Sequence, residues 1–175
     1  TPNTSSAASD VYKRQGHGLV GLLFAAFERQ VEEVILLDQR RPASHTAILA
    51  AVAEVAPWVP EKVRYVQAPV ERAAEHVPPE ASVVAVHACG VRTDRCLELA
   101  MAHHSPVAVM PCCYAQTARA APRAIKAALG AMLTTDIDRT YRLERAGYDV
   151  DWAHIPEAIT PMNRILVAIM PSASS

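Results

Sequence analysis

Five clusters in this chain of 175 residues combine types able to do chemistry. Gly16-His17-Gly18-Leu19-Val20-Gly21 has the form G-x-G-x-x-G at the entry to a helical pattern, where glycines let a loop turn tightly and bring backbone amides to a ligand. The pattern alone equally marks an ordinary turn. Asp38, followed by Gln39, ends the next apolar run at a separation suited to a carboxylate that accepts hydrogen bonds from a ribose diol. Gln67-Ala68 ends the run after that and is placed to meet an adenine ring. Together these residues point to a nucleoside-containing cofactor, with a dinucleotide needing in addition a phosphate site and a second mononucleotide half.

The other two clusters are His87-Ala88-Cys89-Gly90-Val91-Arg92-Thr93-Asp94 and Pro111-Cys112-Cys113-Tyr114. Each follows a strand pattern, so Cys89, Cys112 and Cys113 are expected at neighbouring strand tips. With His87 they have the donor types of a zinc site. They lack the paired Cys spacing of structural zinc sites, so the expectation is small thiols packed near a ligand and no metal. His87 reads either as a proton acceptor beside the reacting groups or as a hydrogen-bonded strand-end residue. Thr93 and Asp94 read as a helix cap and first-turn acid. Basic residues at helical spacing, Arg119, Arg123 and Lys126 or Arg139, Arg142 and Arg145, read as solvated helix faces rather than a phosphate patch.

These clusters need an alternating frame to hold them. Leu19, Leu22, Leu23, Ala26 and Phe27 predict a helix, and residues 34–37 a buried strand. Residues 43–55 predict a helix with Ile48, Leu49, Val52 and Val55 on its apolar face, stopped at Pro57 and Pro60. Strands are predicted over 63–66, 82–87 and 107–110, with a short helical piece over 70–76 and a helix over 92–103. Two helices follow, one with Pro122 near its first turn, the other capped by Thr135 and ended by Gly147 at C′. Residues 148–152 and 165–170 predict two strands joined by a loop with Pro156 and Pro161. Strands joined without a crossover helix are normally antiparallel.

Composition sets outer bounds. A hydrophobic content of 51% fills one continuous core, and 17 Lys plus Arg against 18 Asp plus Glu give no global field for phosphate backbones. RNA is permitted, DNA is not expected, and charges, His and Pro interrupt every apolar run short of a membrane span. Four irregularly spaced cysteines predict a reducing, cytoplasmic setting. Residues 1–15 lack periodicity and are expected to be disordered, and residues 9–15 resemble a non-native peptide found at broken chain ends.

The signatures H-x-C-G-x-x-T-D at 87–94 and P-C-C-Y at 111–114 resemble a class I methyltransferase family. That family includes transfer-RNA 2′-O-methyltransferases of the Trm13 type and glutathione-S-transferase C-terminal-domain-containing methyltransferase-like proteins. Ile159-Thr160-Pro161-Met162-Asn163-Arg164 resembles its closing segment. The resemblance implies an α/β, Rossmann-like sheet with helices on both faces, an antiparallel terminal strand and S-adenosyl-L-methionine as cofactor, over a domain of residues 16–175. It implies cofactor contacts at Gly16, His17, Gly18, Leu19, Asp38, Gln39, Gln67 and Ala68. His87, Cys89, Cys112, Cys113 and Tyr114 would line the side of a methyl acceptor, RNA among the candidates. Upstream of Gly16 the chain departs from the family: Tyr12-Lys13-Arg14-Gln15 stands where an apolar strand ending in an acid belongs. The first strand is therefore expected to be missing or replaced by truncation. An NAD-dependent oxidoreductase and a non-catalytic binding domain of the same fold are the competing readings; the antiparallel tail disfavours the first.

Overall fold

A computed structural model describes residues 16–114 and 121–171; the expected leader over residues 1–15 lies outside them. Two compact units divide between Val77 and Pro78.

The first unit runs α1 (Leu19–Phe27), β1 (Val34–Asp38), α2 (Ala43–Val55), α3 (Val59–Lys62), β2 (Val63–Gln67) and a 3-10 turn over Val70–Glu75. β1 and β2 are parallel, in a register that runs from Val34 opposite Val63 to Asp38 opposite Gln67. Both sequence-predicted cofactor positions thus stand side by side at the carboxyl tips. Leu22, Ala25, Ala56 and Val59 form the core, flanked by Val34, Leu36, Ile48, Leu49, Val52 and Trp58. Leu22 and Val59, both fully buried, each contribute about 1.5–3 kcal/mol.

Only α1 buries a face rotated from the one its apolar residues suggest. On α1, Leu22 and Ala25 are buried, whereas Leu19, Leu23 and Phe27 are exposed. The reason lies in Gly21: a Cβ there would stand 2.4 Å from Leu36 Cδ2, so the helix rests on β1 through a seam of Gly18, Gly21, Leu22 and Ala25. On α2, Ile48, Leu49 and Val52 pack against the core as expected, buried His45 extends the same face by one turn, and Val55 alone of the predicted stripe is exposed.

The second unit runs β3 (Val83–Val86), α4 (Val91–His103), β4 (Val107–Met110), α5 (Arg123–Arg145), β5 (Asp149–His154) and β6 (Arg164–Ile169). Its sheet has the order β3-β4-β6-β5, with β3 and β4 parallel and β6 antiparallel to both neighbours. The antiparallel tail predicted from the helix-free loop is therefore present. Val107, Val109, Leu97, Ala100, Leu143, Leu166 and Ala168 are buried in this unit. The Tyr148 hydroxyl lies 2.7 Å from the Ala100 carbonyl and 3.1 Å from that of Ser105, fastening the end of α4 to the start of β5.

The break in α5 falls at Gly130 (φ 76°, ψ 161°), not at a cap on Thr135. Thr134 and Thr135 lie inside the second segment and donate their hydroxyls back to the carbonyls of Gly130 and Ala131, at 2.7 and 2.6 Å. Gly147, with φ 91°, ends the helix as its type predicts.

The α/β class holds, with helices linking parallel strands and an antiparallel strand closing the second sheet. Among the described residues no strand precedes α1, and β1 pairs with β2 alone. No helix among them is long and apolar enough to cross a membrane.

Candidate functional site

In the first unit the glycine turn is pinned from three sides. Gly16 donates its amide to Asp38 Oδ2 at 3.1 Å, and a Cβ at Gly16 would lie 2.5 Å from that oxygen. Gly18 has φ 75°, and a Cβ there would meet Leu36 Cδ1 at 2.6 Å and His45 Nδ1 at 3.2 Å. The backbone approaches the strand tip because neither residue has a side chain. From α2, buried His45 donates Nδ1–H to the His17 carbonyl at 3.0 Å, and the Ser44 hydroxyl lies 2.6 Å from His17 Nδ1. The Tyr65 hydroxyl, on β2, reaches the carbonyls of Gly16 and Arg40 at 3.2 and 3.0 Å. Burial, then the Asp38 charge, pushes its pKa up to about 12, so this phenol stays a donor.

Asp38 also accepts from the Arg40 amide at 3.4 Å, and its carbonyl accepts from the Ala68 amide at 3.1 Å, extending the parallel ladder. Gln39 and Gln67 are exposed at the tips, Ala68 is buried and Leu19 is exposed at the start of α1. Gly16, Gly18, Asp38 and Gln67 thus gather at one end of the first unit's sheet. Sequence reasoning missed Ser44, His45 and Tyr65, the residues that clamp this turn. The Ser44-His45 pair, just after a proline and at a helix start, was the available signal.

In the second unit the thiols converge. Cys89 Sγ lies 2.8 Å from Cys112 Sγ, Cys112 Sγ lies 3.7 Å from Cys113 Sγ, and all three sulfurs fall within 4.8 Å of one another. Two backbone bonds hold their loops together. His87 donates its amide to the Met110 carbonyl at 2.9 Å, and Gly90 donates to that of Cys113 at 3.2 Å. The Thr93 hydroxyl donates to the Ala88 carbonyl from a fully buried position. Burial first, then the neighbouring thiols, raises the Cys89 pKa; burial likewise raises that of Cys112. At neutral pH both remain thiols and make poor nucleophiles. His87 is exposed and has φ 59°, a left-handed conformation at the strand end.

Tyr114 belongs to an ionic network that sequence reasoning did not foresee. Its hydroxyl donates to Asp136 Oδ2 at 2.6 Å; Arg164 Nε donates to the same oxygen at 2.8 Å. Arg139 donates to Asp136 Oδ1 at 3.1 Å and grips Asp94 with two bonds of 3.1 and 3.2 Å. Arg142 adds a bond to Asp94 at 3.2 Å. Burial alone would lower the Arg139 pKa, but Asp94 and Asp136 hold it above its ordinary value. Burial, followed by Asp136, pushes Tyr114 up to about 12.

Two expectations fail on this network. Arg139 and Arg142 are bound to carboxylates, so they do not form a solvated face. Thr93 makes no capping bond: Gly90 holds the N-cap position and Thr93 ties back to the preceding loop, whereas Asp94 does stand in the first turn as expected and also receives the α5 arginines. A small pocket beside the network is lined by Pro111, Tyr114, Met132, Pro161, Met162 and Arg164. Arg119 lies outside the described residues.

A parallel strand pair with a glycine turn and a carboxylate at its tips, and a second sheet closed by an antiparallel strand, define an α/β fold. A family model described as a methyltransferase domain matches residues 18–120, more than half of the chain, and the chain belongs to that family. Among solved structures it is similar to an O-methyltransferase family protein from Burkholderia thailandensis, at 12% identity and a TM-score of 0.46. That similarity covers 98% of this chain and 57% of the other, so the chain spans little more than half of that protein's length. No curated protein matches the sequence.

Proposed function

We propose that this methyltransferase domain uses S-adenosyl-L-methionine, held at the β1–β2 tips, to methylate an acceptor. The observation that carries the reading is Asp38: it stands in register with Gln67 and accepts the Gly16 amide. A half-buried carboxylate retains acceptor capacity beyond its two amide bonds, and a ribose diol supplies matching donors. The turn approaches the carboxylate closely because Gly16 lacks a Cβ, which would stand 2.5 Å from Asp38 Oδ2. Gln39 and Gln67 offer amide groups for the adenine edge, and His17, Gly18, Leu19 and Ala68 complete the wall.

When bound, the cofactor supplies a sulfonium methyl, whose transfer needs an aligned nucleophile more than strong acid–base catalysis. On the acceptor side the proposal assigns His87, exposed at the end of β3, to take the acceptor proton. Cys89, Cys112 and Cys113 form the floor and Tyr114 a fixed wall, its phenol committed to Asp136. The likeness of the HACG and PCCY segments to transfer-RNA 2′-O-methyltransferases makes RNA the first acceptor class to assay. A cytoplasmic setting would keep the four free cysteines reduced. The test is transfer of a tritiated methyl group from S-adenosyl-L-methionine to transfer RNA, with small hydroxyl and thiol acceptors in parallel. Label in any acceptor that depends on His87 and Asp38 supports the proposal. No incorporation into any acceptor, by protein that binds the cofactor, refutes it.

A further inference from the structure

The geometry points to a metal site in the second unit: we infer that Cys89, Cys112 and Cys113 together bind one thiophilic divalent cation of the zinc class. Tetrahedral zinc–thiolate bonds of about 2.3 Å place neighbouring sulfurs about 3.8 Å apart. The Cys112–Cys113 separation of 3.7 Å meets that spacing, the Cys89–Cys112 separation of 2.8 Å is shorter, and Cys89 and Cys113 lie within 4.8 Å of each other. Small rotations of two side chains bring all three sulfurs onto one ion.

Two features separate this cluster from thiols that simply pack. The sulfurs come from two loops already laced by the His87–Met110 and Gly90–Cys113 backbone bonds, so little ordering remains when an ion arrives. All three cysteines are half-buried rather than sealed, which leaves an entry path. A bound dication favours thiolates and drives off their protons. Binding would release protons from whichever of the three remain thiols and place up to three negative sulfurs around a 2+ ion. Three protein ligands leave a fourth position for solvent or an exogenous donor.

Cys96, buried on α4 with its thiol pushed up to about 11 by burial and then Asp94, is outside the cluster and serves as the internal control. The inference goes beyond the proposed methyl transfer and does not depend on it, since its readout is the metal.

The full chain, reduced and freed of metal by chelation, is titrated with cadmium, whose thiolate complexes absorb by charge transfer in the ultraviolet. The expected result is one ion per chain. Cys89→Ser, Cys112→Ser and Cys113→Ser should each weaken binding by more than about 100-fold, above the loss caused by an outer-shell partner. Cys96→Ser should bind as the unaltered chain does. Because a serine variant could unfold, alkylation of the unaltered chain is mapped in parallel by mass spectrometry, with and without zinc. Protection of Cys89, Cys112 and Cys113 that a chelator reverses supports the site. No charge-transfer band in the reduced chain, equal alkylation with and without zinc, or equal loss in Cys96→Ser overturns it. A Cys89–Cys112 disulfide formed in air, in a chain that takes up no metal when reduced, also overturns it and makes the cluster a redox pair.

Discussion

Arg139 and Asp136, one turn apart on α5, form an ion pair at 3.1 Å with both side chains withdrawn from solvent, 2% and 0% exposed. Arg139 bridges this carboxylate to Asp94 on α4, while Arg164 and Tyr114 complete the shell of Asp136. Tyr114 therefore stands on charge pairing between four segments.

Removing one partner of such a buried pair leaves an uncompensated charge, which costs about 3–5 kcal/mol. Arg139→Ala should lose that much stability in urea unfolding followed by circular dichroism. The double variant Asp136→Asn, Arg139→Met should lose less than the sum of its single changes, because it removes both charges. Strict additivity would show that the pair is not coupled.

Tyr65 and Tyr114 are each pushed up to about 12, against about 10 for a free phenol. Below pH 10 both folded and unfolded chains keep these protons, so their contribution to stability is complete. Between about pH 10 and 12 the unfolded chain releases them first, and stability falls as pH rises. Urea midpoints measured across that window should drop, and Tyr65→Phe with Tyr114→Phe should flatten the drop. An equal slope in the double variant would contradict the assignment.

Three glycine-to-alanine changes separate packing from backbone strain. At Gly21 the backbone is ordinary, but the added Cβ would stand 2.4 Å from Leu36 Cδ2, so overpacking should cost about 1–3 kcal/mol. At Gly130 the Cβ meets nothing, and the cost of about 1–3 kcal/mol should come from φ 76° alone. Gly18 combines both and should be the most damaging of the three, read by thermal unfolding; a Gly18→Ala variant as stable as the unaltered chain would sink this account of the turn.

The frame was legible because most elements carry their own punctuation. Residues 43–55 and 107–110 coincide with α2 and β4, and Gly147 marks a helix end. The tips were legible for the same reason: Asp38 and Gln67 close apolar runs, and parallel pairing then puts them in register. What escaped was set by packing between elements. The inner face of α1 is written in Gly18 and Gly21, whose role is close approach to Leu36 rather than apolar bulk. Arg139 reads as a surface residue until Asp94, 45 positions away, is brought against it by the fold. Thiol convergence was foreseen from neighbouring strand tips, but its metal-like spacing depends on loop bonds that have no sequence pattern.

Calorimetric titration of S-adenosylhomocysteine into the chain and its Asp38→Ala variant tests the central claim most directly. Saturable one-to-one binding is predicted for the unaltered chain, stronger than for NADH, with at least a tenfold loss in the variant, equal to about 1.4 kcal/mol. Binding of NADH in preference to S-adenosylhomocysteine, or binding that Asp38→Ala leaves untouched, would contradict it.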